Sequence, residues 1–132
     1  MKYLLDSNAV SVWAKRSSNT FLSHLVNVSP KDLCISSIVE MEALFGIELK
    51  PQFSYLPALQ SLLRELPVVD FDSASALQAA KIRAQLQRIG RPIGSYDALI
   101  AATAMAHGLI VVTHNTREFS RVEGLVVEDW QV

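Results

Sequence analysis

Apolar positions along the chain alternate between short continuous runs and runs spaced three and four apart. Lys2-Tyr3-Leu4-Leu5 is a short apolar run stopping at Asp6-Ser7-Asn8, which is turn and cap chemistry, and it predicts a first strand. Asn8 to Lys15 and Thr20 to Val28 predict helices, with Ser17, Ser18 and Asn19 offering the second an N-cap. Leu33 to Ile35 predicts strand 2. After Ser36-Ser37 comes a helix whose apolar positions Ile38, Met41, Leu44, Phe45 and Leu49 keep the helical period until Pro51. A helix over Tyr55 to Leu66, with Pro57 in its first turn, leads to a third strand over Val68 to Phe71. Asp72 or Ser73 caps a long helix ending at Gly90, with an apolar stripe of Ala76, Leu77, Ala80, Ala84 and Leu86. Ser95 opens another helix that stops at Gly108; Leu109 to Thr113 predicts strand 4 and Leu125 to Val127 strand 5.

Strands alternate with helices throughout, and strand 4 is apolar on both faces, which predicts a mainly parallel sheet covered on both sides. The 132 residues suit one domain spanning 1–132. Half the residues are hydrophobic and 19% charged, so the chain folds rather than staying disordered. Cys34 alone permits no disulfide framework and fits a reducing compartment. The most apolar stretch, Ala98 to Ala106, is half of the roughly 18 residues a membrane span needs, and Asp6 interrupts the N-terminal run too early for a signal peptide. A soluble, cytoplasmic protein with no membrane partner is expected. Its 12 Lys and Arg against 13 Asp and Glu exclude a general cationic coat for nucleic acid, so a polyanion would need a local basic patch, metal ions or a groove between subunits.

Ligands of open parallel sheets bind outside the carboxyl ends of the strands, where strand order reverses. Asp6 follows strand 1, Glu40 lies in the first turn of the helix after strand 2, Asp97 starts the helix before strand 4, and Asn115 follows strand 4. Each acid also has a structural role open to it: Ser37 and Glu40 fit a capping box, and Asp97 suits the positive end of a helix. Carboxylates about 5 Å apart repel by ~3 kcal/mol per pair at an effective dielectric near 20, so three of them together call for a cation or raised pKa values. Oxygen ligands with no Cys or His at metal spacing suit Mg²⁺ or Mn²⁺, the usual apparatus of phosphodiester hydrolysis.

Four blocks carry a resemblance. Leu4-Leu5-Asp6-Ser7-Asn8, Ile35-Ser36-Ser37-Ile38-Val39-Glu40-Met41-Glu42, Gly90-Arg91-Pro92-Ile93-Gly94-Ser95-Tyr96-Asp97-Ala98-Leu99-Ile100-Ala101 and Thr113-His114-Asn115-Thr116-Arg117-Glu118-Phe119 closely resemble the motifs of PIN-domain ribonucleases. Order, spacing and the closing Glu128-Asp129-Trp130 look most like the VapC toxins of bacterial VapBC toxin-antitoxin pairs, over essentially the whole chain. The resemblance implies a PIN-like three-layer α/β/α fold with a five-stranded parallel sheet of order 3-2-1-4-5. It implies a homodimer with Mg²⁺- or Mn²⁺-dependent endoribonuclease activity on structured RNA, often a tRNA anticodon stem-loop, with initiator tRNA favoured among enteric-type relatives. A VapB-type antitoxin whose C-terminal segment fills the active-site groove is implied too, in a heterotetramer or larger complex that meets operator DNA only through the antitoxin.

By position Asp6, Glu40 and Asp97 match the family's first three acids and are the expected metal ligands. Many PIN domains have Asp where Asn115 stands; Asn115 or Glu118 is the fourth site residue. Ser7 and Asn8 are expected to support Asp6, and Lys15, Arg16, Arg83, Arg88 and Arg91 to meet RNA phosphates. His114 is the one histidine near the expected site, while Trp13, Phe45 and Phe53 suit core or dimer contacts. A phosphoacceptor receiver domain is the rival from another class, but it wants paired acids after strand 1 and a Lys after the penultimate strand, where this chain has Ser7-Asn8 and His114-Asn115-Thr116. A catalytically weak PIN-like protein that only binds RNA or a partner is the other alternative.

Overall fold

A computed structural model describes residues 1–132. Its elements are β1 (Tyr3–Leu5), α1 (Ser7–Lys15), α2 (Asn19–Leu25), a 3₁₀ turn (Pro30–Asp32), β2 (Leu33–Ser36), α3 (Ser37–Leu49) and α4 (Leu56–Glu65). There follow β3 (Val68–Val69), α5 (Ser73–Arg88), α6 (Ser95–His107), β4 (Ile110–Val112), α7 (Thr116–Phe119) and β5 (Val127–Glu128). The strands form one sheet of order β3-β2-β1-β4-β5, every pairing parallel, with helices on both sides. Register sets Leu4 beside Cys34 and Val111, so the central strand is flanked by apolar neighbours and Leu4, Leu5, Ile35 and Val111 are wholly buried. Strands buried on both faces read as continuous apolar runs, which is why these were legible. No helix is long and apolar enough to cross a membrane.

Several expectations shift. Strand 5 lies at Val127–Glu128, later than Leu125–Val127, and Thr116–Phe119 forms a short helix that the sequence did not announce. Strand 2 runs one residue further, so Ser36 and not Ser37 is the N-cap of α3: its Oγ accepts from the Val39 amide at 3.2 Å. The Ser37–Glu40 capping box therefore does not form; the Ser37 hydroxyl instead accepts from the Phe71 amide, tying α3 to the end of β3.

Along α5 the buried positions are Ser75, Ala79, Ile82 and Leu86, whereas Ala76, Leu77 and Ala80 face solvent. This helix is rich in alanine, so two stripes at helical spacing compete, and close packing on the alanine face of α6 selects the one next to it. Likewise Met41, Leu44, Phe45 and Leu49 keep the helical period on α3 yet are exposed, Phe45 by 60% and Leu49 by 70%. Phe45 is thus no core residue of the single chain, while Trp13 and Phe53 pack against the core.

Candidate active site

β1 is the middle strand, and the chain leaves it first toward β2 and β3, later toward β4 and β5, so strand order reverses between β1 and β4. Asp6 stands at that point: its amide donates to the Val112 carbonyl at 3.1 Å, and its Oδ1 accepts from the Ala9 amide at 2.8 Å, capping α1. The Thr113 hydroxyl, which accepts from the Asn115 amide at 2.9 Å, also favours the ionised form of the Asp6 carboxyl. Only 4% of Asp6 is exposed, and burial pushes its pKa up to about 6 although the Thr113 and Ala9 hydrogen bonds pull the other way; the charges of Asp97 and Glu42 add to the rise.

Asp97 lies in the first turn of α6, half-buried, and its pKa is raised by burial and then by the charges of Glu118 and Glu42. A Cβ at Gly94, the residue capping α6, would come 3.2 Å from Asp97 Oδ2, so the glycine leaves that carboxylate room. Asp6, Ser7, Asn8, Asp97, His114 and Asn115 line a cavity of about 460 Å³ with no apolar residue in its wall. Glu118 joins from α7, where its Oε2 accepts from the Asn115 side-chain amide at 2.6 Å. Asn115 and Glu118 therefore act as a pair in which the amide orients the acid.

Glu40 must be corrected. Two residues apart on a helix are about 200° apart around its axis, so Glu40 and Glu42 cannot serve one site. It is Glu42 whose charge reaches Asp6 and Asp97, and whose Oε1 accepts from the Ser7 hydroxyl at 2.6 Å. Glu40 lies in the first turn of α3 as expected, but it is Glu42, two residues on, that faces the two aspartates. Glu42→Gln is expected to lower RNA cleavage by about 10-fold or more, the cost typical of losing a group around a metal. Glu40→Gln should stay within about twofold, because Glu40 is not among the charges that reach Asp6 or Asp97. Single-turnover cleavage by the two variants checks this, and the reverse order would restore Glu40.

Of the basic residues, Lys15 and Arg16 end α1, about 14 Å along the helix from Asp6, with Lys15 Nζ 5.0 Å over the Tyr55 ring. Neither joins the acid cluster. His107 Nε2 lies 3.1 Å from Asp72 Oδ2, which sets the end of α6 beside the start of α5. Arg83, Arg88 and Arg91 are exposed toward the other end of that helix pair, the end where Asp97 begins α6. Residues that sequence reasoning missed are Glu42, Thr113, Asp129 and Gln131. Glu128-Asp129-Trp130 was visible as a motif, but its contacts to His114 are made across the fold.

No three His, Cys, Asp or Glu side chains stand close enough together to hold a metal ion among themselves. Mg²⁺ keeps several waters and takes one or two carboxylates directly, so an open, wholly polar cavity with two carboxyls whose pKa values are raised by burial and then by neighbouring acids fits such an ion. Zinc is a poor match, because the cavity holds no thiolate and a single imidazole.

The PIN domain family profile matches residues 3–125. The chain is 39% identical over 132 residues to the tRNA(fMet)-specific endonuclease VapC of Shigella flexneri, covering 98% of each. It is 36% identical, with the same coverage, to ribonuclease VapC2 of Haemophilus influenzae. Its fold superimposes with a TM-score of 0.87 on the DNA-bound VapBC structure from Salmonella typhimurium, at 36% identity over 98% of both chains.

Proposed function

The chain belongs to the PIN-domain family, among its VapC ribonucleases, and from that premise we propose that it is the toxin of a VapBC-type pair, a Mg²⁺- or Mn²⁺-dependent endoribonuclease that cuts tRNA(fMet). One observation carries the chemistry: Asp6 at the switch point, buried and raised to about 6, shares its electrostatic surroundings with Asp97 and Glu42. PIN-domain nucleases generally depend on a divalent metal. Asp6 and Asp97 would hold it, with Glu42 a ligand directly or through water and Glu118 the fourth acid. A cation bound there supplies positive charge to the scissile phosphate and makes water a better nucleophile.

The side chains account for the rest. The Ala9 amide fixes the Asp6 carboxyl, Ser7 fixes Glu42, and Asn115 fixes Glu118, so three acids are held in place before RNA arrives. Without counter-charge this cluster repels a phosphodiester, which ties RNA binding to the same ion that activates the reaction. Attack by water at phosphorus with departure of O3′ leaves a 5′-phosphate and a 3′-hydroxyl. Arg83, Arg88 and Arg91, exposed toward the end of α5 and α6 where Asp97 begins α6, would meet RNA phosphates.

Beside the cavity, Ser7 and Glu42 also border a groove of about 420 Å³ whose other walls include Val10, Val39, Phe53 and Tyr55. A VapB-type antitoxin segment seated there would cover Glu42, and a second copy of the chain would cover the exposed α3 face. The test is purified, antitoxin-free protein on a tRNA panel with Mg²⁺, Mn²⁺ or EDTA. Cleavage of initiator tRNA in either metal, ends bearing 5′-phosphate, and sedimentation at twice the 14.6 kDa chain mass are expected. Cleavage that persists in EDTA, or 2′,3′-cyclic ends, would overturn the chemistry. Absence of any RNA cleavage would overturn the enzyme, and a species of chain mass alone would remove the dimer.

A further inference from the structure

The last residues of the chain brace two of the residues that line the acidic cavity, His114 and Asn8. Trp130 is 2% exposed and stacks on His24, with ring centroids 5.7 Å apart and planes within 5°, while Tyr3 and Phe21 pack around it. From this anchor the neighbouring side chains reach two residues that line the cavity. Asp129 Oδ2 lies 2.9 Å from His114 Nδ1, and Gln131 Nε2 donates to Asn8 Oδ1 at 3.2 Å. Asp129 Oδ1 also accepts from the Gln131 amide at 2.9 Å, so both contacts belong to one short clamp.

An ionised carboxylate can only accept, so in the neutral imidazole the proton sits on Nδ1 and Nε2 carries the lone pair. The hydrogen bonds of His114 engage Nδ1 and leave Nε2 without a protein partner, on a residue whose side chain is 57% exposed at the cavity mouth. A phosphate oxygen offers no proton to such a nitrogen. The nearest donor that an RNA backbone brings next to a phosphate is the ribose 2′-hydroxyl, the group that separates RNA from DNA.

We propose that His114, oriented by Asp129, contacts the substrate by accepting a hydrogen bond through Nε2 from a ribose 2′-hydroxyl adjoining the scissile phosphate. This rests on the ribonuclease reading above and deepens it: His114 is a residue by which the cavity favours RNA, and Asp129 is the residue that positions it. Because Asp129 is 13% exposed and Trp130 is buried, the ring is held rather than free to turn its other nitrogen inward.

The experiment is a cleavage cycle on the full chain, using an RNA substrate and a set of copies each carrying one 2′-deoxy nucleotide near the cut. For the unaltered protein one 2′-deoxy position next to the scissile phosphate should lower kcat/KM about tenfold, the worth of one good hydrogen bond. His114→Ala should cut the all-RNA substrate about tenfold more slowly and be indifferent to that 2′-deoxy change. Asp129→Ala, with the tautomer no longer set, should show a smaller 2′-deoxy penalty than the unaltered protein. Two independent, multiplying losses in His114→Ala, or no 2′-deoxy position that slows the unaltered protein, would overturn the proposal. Normal RNA cleavage alongside either result leaves the nuclease standing, whereas failure to cut RNA at all removes the nuclease itself. Product ends bearing 5′-phosphate show that the 2′-hydroxyl is a contact and not the nucleophile.

Discussion

Asp6→Asn should cut RNA cleavage by more than about 100-fold and at the same time make the metal-free protein more stable at pH 7. The activity loss follows from removing a ligand, since loss of a group merely supporting a ligand already costs about 10- to 100-fold. The stability gain follows from burial. Asp6 titrates at about 6 in the folded chain against 3.8 for the ordinary carboxyl, so the folded state binds its proton more tightly than the unfolded state does. Its contribution to stability is complete below about pH 4, declines as pH rises through the window up to about 6, and is absent above it. The whole window is worth about 3 kcal/mol at 1.36 kcal/mol per pKa unit.

Asparagine removes the charge while its side-chain oxygen can still accept from the Ala9 amide, and Asn is as good an N-cap as Asp. About 2 kcal/mol of extra stability at pH 7 is therefore expected, with a flatter profile between pH 4 and 6. Urea unfolding in EDTA across that range measures it. Added Mg²⁺ should raise the Tm of the unaltered chain, because a ligand that binds only the folded state stabilises it, and should raise that of the variant less. Equal slopes with pH would mean that Asp6 is not the buried charge responsible.

Trp130→Ala should be the costliest single truncation in the chain, destabilising it by about 3–5 kcal/mol. The indole is buried against Tyr3, Phe21 and His24, and its Nε1 donates to Glu128 Oε1 at 2.9 Å. Removing it leaves a void between β1, α2 and the tail, with a buried cavity too tightly bounded to collapse. Since domains hold only about 5–15 kcal/mol in total, the urea midpoint should fall by about a fifth or more. Trp130→Phe, which keeps most of the volume and gives up the Nε1 bond, should cost less than half as much. A loss under about 1 kcal/mol for the alanine variant would show that the tail is not anchored by this ring.

The elements lying on strong local signals were legible. Buried parallel strands announced themselves as apolar runs at Leu4-Leu5 and Val111-Val112, and cap residues at Ser18 and Asp72 marked where helices begin. Asp6 and Asp97 could be named because each sits next to such an element's end. Glu40 and Glu42 both stand near the start of α3, and only the packing of that helix against α1 and α6 decides that Glu42 is the acid turned toward Asp6 and Asp97. The α5 stripe failed for a related reason: alanines at helical spacing on two faces carry almost no difference in burial energy by themselves.

What local order determined, then, was the succession of strands and helices and the presence of acids at strand and helix ends, because capping, periodicity and apolar runs act between residues a few positions apart. Only the assembled fold decided that Glu42 joins Asp6 and Asp97, that Asn115 orients Glu118, and that Asp129 and Gln131 brace His114 and Asn8. Those contacts join residues up to 123 positions apart, and their partners are set by sheet order and register, which no short stretch of chain encodes.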